Sequence, residues 1–256
     1  MKLFLLSVFV VILSTCADSQ MSRAILVVFA HPDDETTIGP IMAKLAKSDK
    51  LVYIVATDGR YGTRTKLSSP DSLIAVRKSE CACSKKALGL DSLIMLDYHD
   101  GLGSQTSVPE YFSQTRALRD ALKNHIEAIS PTMIITFGPD GDTGHADHRI
   151  VGNLVTEVLL REGWVDKYPL YYLGWTKQQA AKFDVDELGY ADSKYFNTSI
   201  PFDKEDENKY FASIQCFVSQ YTKQEMASWI EKETADKENV IHFRRFAVSS
   251  GHSSSF

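Results

Sequence analysis

Ile25-Leu26-Val27-Val28-Phe29-Ala30-His31-Pro32-Asp33-Asp34-Glu35 decides how the chain is read. Its first five residues carry no charge, and their short, β-branched-rich run fits a fully buried strand better than a helix. Pro32 then stops the ladder, because it lacks an N–H and fixes its own φ. His31, Asp33, Asp34 and Glu35 crowd the end of that strand. Buried carboxylates without partners are costly, so folding alone gives no reason to put them there. Metal ligation or catalysis does.

Working outward, the same grammar recurs. Apolar runs at 51–56, 92–96 and 133–137 read as three more buried strands. Between them, apolar residues at helical spacing predict helices over 36–47, 71–88 and 110–130, and another from the Gly144 region through Leu160. Thr36 or Thr37 is the expected cap of the first, and Asp71 or Ser72 of the second. The second has Leu73, Val76, Cys83 and Leu88 on its inner face and Gly89 as its stop. Regular alternation at crossover lengths predicts an α/β fold, a Rossmann-like and mostly parallel sheet with helices on both faces. Beyond Tyr168 the pattern weakens. Strands are expected at 171–175, 195–200 and 240–248, a helix near 206–217, and a charged, solvated helix at 225–237.

The bulk properties agree. A chain of 256 residues that is 44% apolar and 24% charged suits one globular domain, taken as 20–256. Its net charge of −5 gives no electrostatic case for nucleic acid. Residues 1–19 read as a secretory signal peptide: Lys2 is followed by an apolar run too short for the roughly 20 residues a membrane span needs. Leu13-Ser14-Thr15-Cys16 also resembles a lipoprotein signal with Cys16 as the lipidated residue, although Thr15 is large for that position. Simple secretion ranks first, a lipid anchor second and an uncleaved anchor third. The expected location is therefore outside the cell or in the periplasm or envelope. The cysteines are too few for a disulfide scaffold, and Cys81, Cys83 and Cys216 read as small core fillers.

Each polar cluster follows a predicted parallel strand: His31-Asp33-Asp34, Asp58, His99-Asp100 and His145-Asp147-His148. Ligands of open parallel sheets bind outside the carboxyl ends of the strands, so four distant segments converge on one mouth. His31, Asp34 and one histidine of the last cluster make a donor set suited to Zn²⁺ or another divalent ion with an open position. Asp33, beside the water, can take its proton. The remaining histidine can stabilise an oxyanion or protonate a leaving group, with Asp147 orienting it. The plain alternatives are a capped turn at His31-Pro32-Asp33 and a surface pair at His145 and His148. Two such clusters at strand ends make those alternatives the weaker reading. His125, His242 and His252 read as structural or solvent-facing, and Arg77 with Glu80 as an exposed helix pair. Asn197-Thr198-Ser199 matches a glycosylation sequon.

With those residues in hand, the chain resembles the LmbE-like (PIG-L) family of zinc-dependent de-N-acetylases. His31-Pro32-Asp33-Asp34-Glu35 and Gly144-His145-Ala146-Asp147-His148 stand like its two signature motifs. Ala56-Thr57-Asp58-Gly59, Arg77 with Glu80, Asp100-Gly101 and the faint trace Ser219-Gln220 are similar too. The resemblance implies His31, Asp34 and His148 as metal ligands, Asp33 as general base, and His145 as the polarising acid with Asp147 behind it. It also implies Arg77 and Asp100 as substrate contacts. The implied substrate is an N-acetylglucosamine unit losing acetate. Ala146 departs from a frequent proline, and Phe217 from a frequent histidine. Two other readings stand beside this one: a metal-dependent phosphoester hydrolase and an inactive carbohydrate-binding protein.

Overall fold

The computed structural model describes residues 23–62, 69–183 and 189–248. The expected signal peptide, Cys16 and His252 lie outside the described residues. The first three strands are β1 (Ala24–Phe29), β2 (Lys50–Thr57) and β3 (Ser92–Tyr98), alternating with helices α1 (Gly39–Leu45) and α2 (Pro70–Leu88). Then come α3 (Val108–Ile129), β4 (Met133–Phe137), α4 (Ala146–Arg161), β5 (Leu170–Thr176) and α5 (Lys177–Phe183). The chain ends in β6 (Tyr190–Ala191), β7 (Thr198–Pro201), α6 (Lys204–Ile214), α7 (Lys223–Ala235) and β8 (Val240–Phe246).

The sheet runs β3-β2-β1-β4-β5-β8-β7, with the short β6 paired to β5. All pairings from β3 to β5 are parallel; β8 runs antiparallel to β5, and β7 antiparallel to β8. Strands β1 and β2 are covered on both sides, which is why they read as unbroken apolar runs. From β1 the chain builds outward through β2 and β3. It then crosses back through α3 to β4, directly beside β1, with Ile25 opposite Met133 and Val27 opposite Ile135. Right-handed crossovers therefore put α1 and α2 on one face and α3 and α4 on the other. The packing agrees, with α1 and α2 against α6, and α3 against α4. The reversal of direction between β1 and β4 makes their carboxyl ends the natural crevice of the sheet.

Several local expectations are corrected. Thr36 and Thr37 do not cap α1: they lie in a 3-10 turn, Asp34–Thr37, with their hydroxyls donated back to the Asp33 and Asp34 carbonyls. α1 begins only after Ile38, with Pro40 in its first turn. The cap of α2 is Ser69, which accepts from the Ser72 N–H. Arg77 and Glu80 are not an exposed pair, being 3% and 4% accessible. Tyr195 belongs to a turn, and β7 starts only at Thr198. α7 is not wholly solvated, because Met226 packs with Tyr210 and Ile214.

Cys83 and Cys216 are not core fillers but form a disulfide across 133 residues of sequence, with Cα atoms 5.8 Å apart. Cys81 alone is the buried free thiol of the described residues. Closing so long a loop is worth about 5 kcal/mol in the chain-entropy account. The bond ties α2 to the segment that follows α6. Among the described residues, no helix is long and apolar enough to cross a membrane.

Candidate active site

At the end of β1 the chain turns sharply, with Asp33 in the left-handed region at φ 99°. Few residues other than glycine adopt such a conformation, and it persists where surrounding contacts hold it. The Asp34 carboxylate does so: its Oδ2 accepts the Ala30 N–H at 3.0 Å and the His31 N–H at 2.7 Å. The Ala30 and His31 N–H groups, just past the end of β1, are thereby satisfied. Opposite, α4 is pressed against β4 so closely that a Cβ on Gly152 would run into the Phe137 carbonyl oxygen. That approach sets the start of α4, with His145 as its N-cap and His148 in its first turn, beside His31. Phe137 stacks on the His148 ring, with centroids 4.0 Å apart and planes 2° from parallel.

The protonation pattern of the two buried imidazoles follows from their partners. His148 Nδ1 lies 3.0 Å from the Gly141 carbonyl oxygen, which can only accept. His31 Nε2 lies 3.1 Å from Asp100 Oδ1 and 3.5 Å from Asp147 Oδ2. The carbonyl beside His148 Nδ1 and the two carboxylates beside His31 Nε2 favour a proton on each outer nitrogen, although Nε2 is aligned for a hydrogen bond with neither acid; the inner nitrogens, His31 Nδ1 and His148 Nε2, stand 3.2 Å apart. Asp34 Oδ1 is 3.1 Å from His148 Nε2, and Asp34 Oδ2 is 3.5 Å from His31 Nδ1. With His31 neutral, three acceptors converge with no donor between them, so the gap takes a cation: either a second proton on His31, which its raised pKa favours, or a metal ion in that proton's place. Donors about 2.05 Å from a tetrahedral ion stand about 3.3 Å apart, so the spacing fits a metal. Two wider groupings, His31 with His145 and His148 and His31 with Asp100 and Asp147, have ligand atoms within 4.8 Å of one another, whereas Asp34 lies within 3.5 Å of both His31 and His148.

The surrounding charges are strongly organised. Burial opposes ionisation of Asp34, yet His148 and His31 hold its carboxyl well below the ordinary range. Burial also opposes charge on His31, but Asp34, Asp100 and Asp147 outweigh it and raise its pKa. Asp147 accepts the Gly101, Leu102 and Gly103 N–H groups. Despite burial, the His31 contact and these amides bring its pKa down to about 2.

Two expected roles therefore move. Asp147 stands behind His31, not His145; only its backbone N–H reaches His145, donating to Nδ1 at 3.2 Å. Asp100 also faces His31, accepts the Tyr61 N–H at 3.1 Å, and does not line the cavity beside the site. Asp58 is bound by Arg60 and accepts the Asp100 N–H, a structural role. His99 lies outside the cluster, 3.8 Å from Glu110.

Arg77 is likewise absent from the cavity wall. Its guanidinium meets the Pro32 carbonyl and the Asp33 carboxylate, Nη2 to Oδ1 at 3.0 Å. The Tyr221 hydroxyl donates to the other oxygen, Oδ2, at 3.3 Å. Burial raises the Asp33 pKa, Arg77 works the other way, and the net shift is upward. Burial and the neighbouring His31 and His148 lower the pKa of His145, which keeps this half-open imidazole neutral. Since its Nδ1 accepts, its proton sits on Nε2.

Asp33, Asp34, His145 and His148 open into a cavity of about 670 Å³ whose other walls include Trp175, Tyr221 and Trp229. These three aromatics and Asp142 were not expected at the site from the sequence. Each aromatic had a signal: a tryptophan at a strand's carboxyl end, a lone tryptophan in a charged helix, and a tyrosine directly after Ser219-Gln220. Glu80 explains that pair, because it accepts the Ser219 N–H at 2.6 Å and its hydroxyl at 2.8 Å. Tyr221 is thereby tied to α2, the helix that also carries Arg77.

The family model "PIG-L: GlcNAc-PI de-N-acetylase" matches residues 26–159, which include both histidine-aspartate motifs. The chain belongs to this family. Among curated PIG-L relatives, a probable N-acetyl-alpha-D-glucosaminyl L-malate deacetylase 2 of Bacillus anthracis is 31% identical over 142 residues. That match covers 54% of this chain and 59% of the relative, so the chain spans about three-fifths of that protein's length. The solved N,N'-diacetylchitobiose deacetylase of Pyrococcus horikoshii superposes with a TM-score of 0.62 at 20% identity, over 88% of this chain and 84% of that one. A 4-carboxy-2-hydroxymuconate hydratase of Pseudomonas putida shares the fold equally well, with a TM-score of 0.63 at 14% identity, over 91% of this chain and 100% of that one. These structural likenesses establish the α/β fold; the reaction must be argued from the site.

Proposed function

We propose that the protein is a metal-dependent hydrolase that removes the N-acetyl group from an N-acetylglucosamine-containing substrate, with Zn²⁺ as its ion. The observation that carries this reading is the convergence of His31 Nδ1, His148 Nε2 and Asp34, all acceptors, beside a cavity that also holds Asp33. Membership of a de-N-acetylase family supports it, as does the deacetylase activity named for the curated relative.

A divalent ion bound by His31, Asp34 and His148 supplies Lewis acidity, polarising a carbonyl and making water acidic enough to react near neutral pH. The chain's own residues do the rest. Asp33, gripped by Arg77 and Tyr221 at the cavity wall, takes the proton of the attacking water and returns it to the departing nitrogen. His145, neutral with its proton on Nε2, donates to the oxygen on which negative charge develops. Asp147 and Asp100 hold His31 in the tautomer that turns Nδ1 inward. Arg77 and Asp100 act as positioning residues for Asp33 and His31 in this scheme, not as substrate contacts.

Export from the cytoplasm completes the proposal, either as a free protein or attached through Cys16. Support comes from the apolar leader of residues 1–19 and from the Cys83–Cys216 disulfide, since such bonds persist in oxidising compartments. The decisive test combines elemental analysis of the purified protein with an acetate-release assay on N-acetylglucosaminides. Stoichiometric zinc and released acetate are expected. Phosphate release from phosphoesters without acetate would overturn the reading.

A further inference from the structure

Beside the catalytic residues, the cavity wall repeats one pairing. From β5, the Trp175 indole N–H donates to Asp142. From α7, the Trp229 indole N–H donates to Glu233 at 3.2 Å, and the Tyr210 hydroxyl reaches the same oxygen at 3.1 Å. Both tryptophans, both carboxylates and Tyr210 line the cavity. Each indole is therefore locked in orientation by an acid beside it. An indole face packs on the C–H face of a pyranose, and a carboxylate accepts hydroxyl protons, so each couple presents what a sugar ring requires. A volume of about 670 Å³ lies within the range that holds a ligand larger than one small ring.

Charge narrows the ligand further. Asp33 is paired with Arg77, and Asp34 faces the metal position, leaving Asp142, Glu225 and Glu233 as the other acids of the wall. Lys232 is the single lysine or arginine among the described lining residues. An aglycone carrying carboxylates or phosphate would meet like charge there; a hydroxyl-rich neutral one would not.

We propose that this wall is a subsite for a second, uncharged sugar, so that the chain acts on N-acetylglucosaminides whose aglycone is a neutral pyranose in preference to those with an anionic aglycone. This rests on the deacetylase reading above.

The test uses the full chain and three probes at equal ionic strength: N,N'-diacetylchitobiose, free N-acetylglucosamine and N-acetylglucosaminyl L-malate. In the zinc-loaded protein, kcat/KM for the disaccharide should exceed that for either other probe by about tenfold or more. Trp229→Ala should lower the disaccharide-to-monosaccharide ratio by about tenfold, the scale of one lost aromatic contact. In a metal-free preparation, the disaccharide should change tryptophan fluorescence saturably, since two of the three tryptophans face this wall. The malate glycoside should do so only at far higher concentration. Equal or better turnover of the malate glycoside, or a ratio unmoved by Trp229→Ala, overturns the subsite while leaving deacetylation intact. Saturable disaccharide binding with no acetate from any probe upholds the sugar wall and overturns the deacetylase reading instead.

Discussion

Arg77 lies against both oxygens of Asp33, with Nη2 3.0 Å from Oδ1 and Nη1 3.5 Å from Oδ2, although the two residues belong to different elements. Its guanidinium is almost wholly buried and also meets the Pro32 carbonyl. One side chain thus fixes both the carboxylate and the backbone of the residue assigned as base. Replacing it with Met leaves a buried carboxylate without its partner, a change that costs about 3 kcal/mol or more in such settings. Arg77→Met should lower kcat about a hundredfold and lower the melting temperature, with metal content retained. Steady-state acetate release, calorimetry and elemental analysis on the same sample check the three parts.

The ligand and base assignments separate under mutation. Asp33→Asn keeps the size and backbone of the residue but cannot take a proton, so turnover should fall by about 10²–10⁴-fold with zinc still bound. His148→Ala removes one converging acceptor and should lose zinc and turnover together. Zinc retained at full stoichiometry in His148→Ala would show that the ion is held elsewhere.

Burial raises the Asp142 carboxyl to about 6, even though the Trp175 N–H favours its charged form. The folded state then keeps a proton that the unfolded chain releases near the ordinary value of 3.8. Between those two values the native state binds more protons, so this group's contribution to stability falls as pH rises from about 4 to about 6 and is constant above that. The loss is on the order of 2–3 kcal/mol. Asp147, held at about 2, acts in the opposite sense: its stabilisation is present above 3.8 and is lost as pH falls through 2. Denaturant titrations of wild type and Asp142→Asn across this range should diverge with rising pH, the variant losing less stability.

Gly152 sits where α4 meets the Phe137 carbonyl with no room for a methyl group. Gly152→Ala should push the helix off β4, destabilising the fold by about 1–3 kcal/mol. Because His145 and His148 ride on the same helix, zinc affinity should weaken as well, measurable by competition with a chromogenic chelator. A variant with unchanged stability would show that α4 is not seated this way.

How much of this could be read before folding depended on whether a feature is local. The first four strands were legible to within a residue or two because strands buried on both faces are continuous apolar runs. The convergence of His31 with His148 was legible because each follows a predicted parallel strand, and ligands gather at the carboxyl ends of such strands. Three things were invisible. A charged pair three apart on a helix looks the same whether it is solvated or sealed in, so Arg77 and Glu80 were misplaced. Cys83 and Cys216 meet only because α6 packs on α2, and spacing alone does not reveal a pairing. Which histidine Asp147 supports depended on how the Gly101–Gly103 turn wraps its carboxylate.

The Cys83–Cys216 bond bears on how the protein is made. A recombinant batch from a reducing bacterial cytoplasm would carry free thiols at these positions, and the strand of chain delivering Tyr221 to Asp33 would keep only its Glu80 anchor and local packing. A batch from culture medium would carry the bond. Two laboratories could then purify the same polypeptide to homogeneity and report different specific activities. A thiol count on each lot is what makes their numbers comparable.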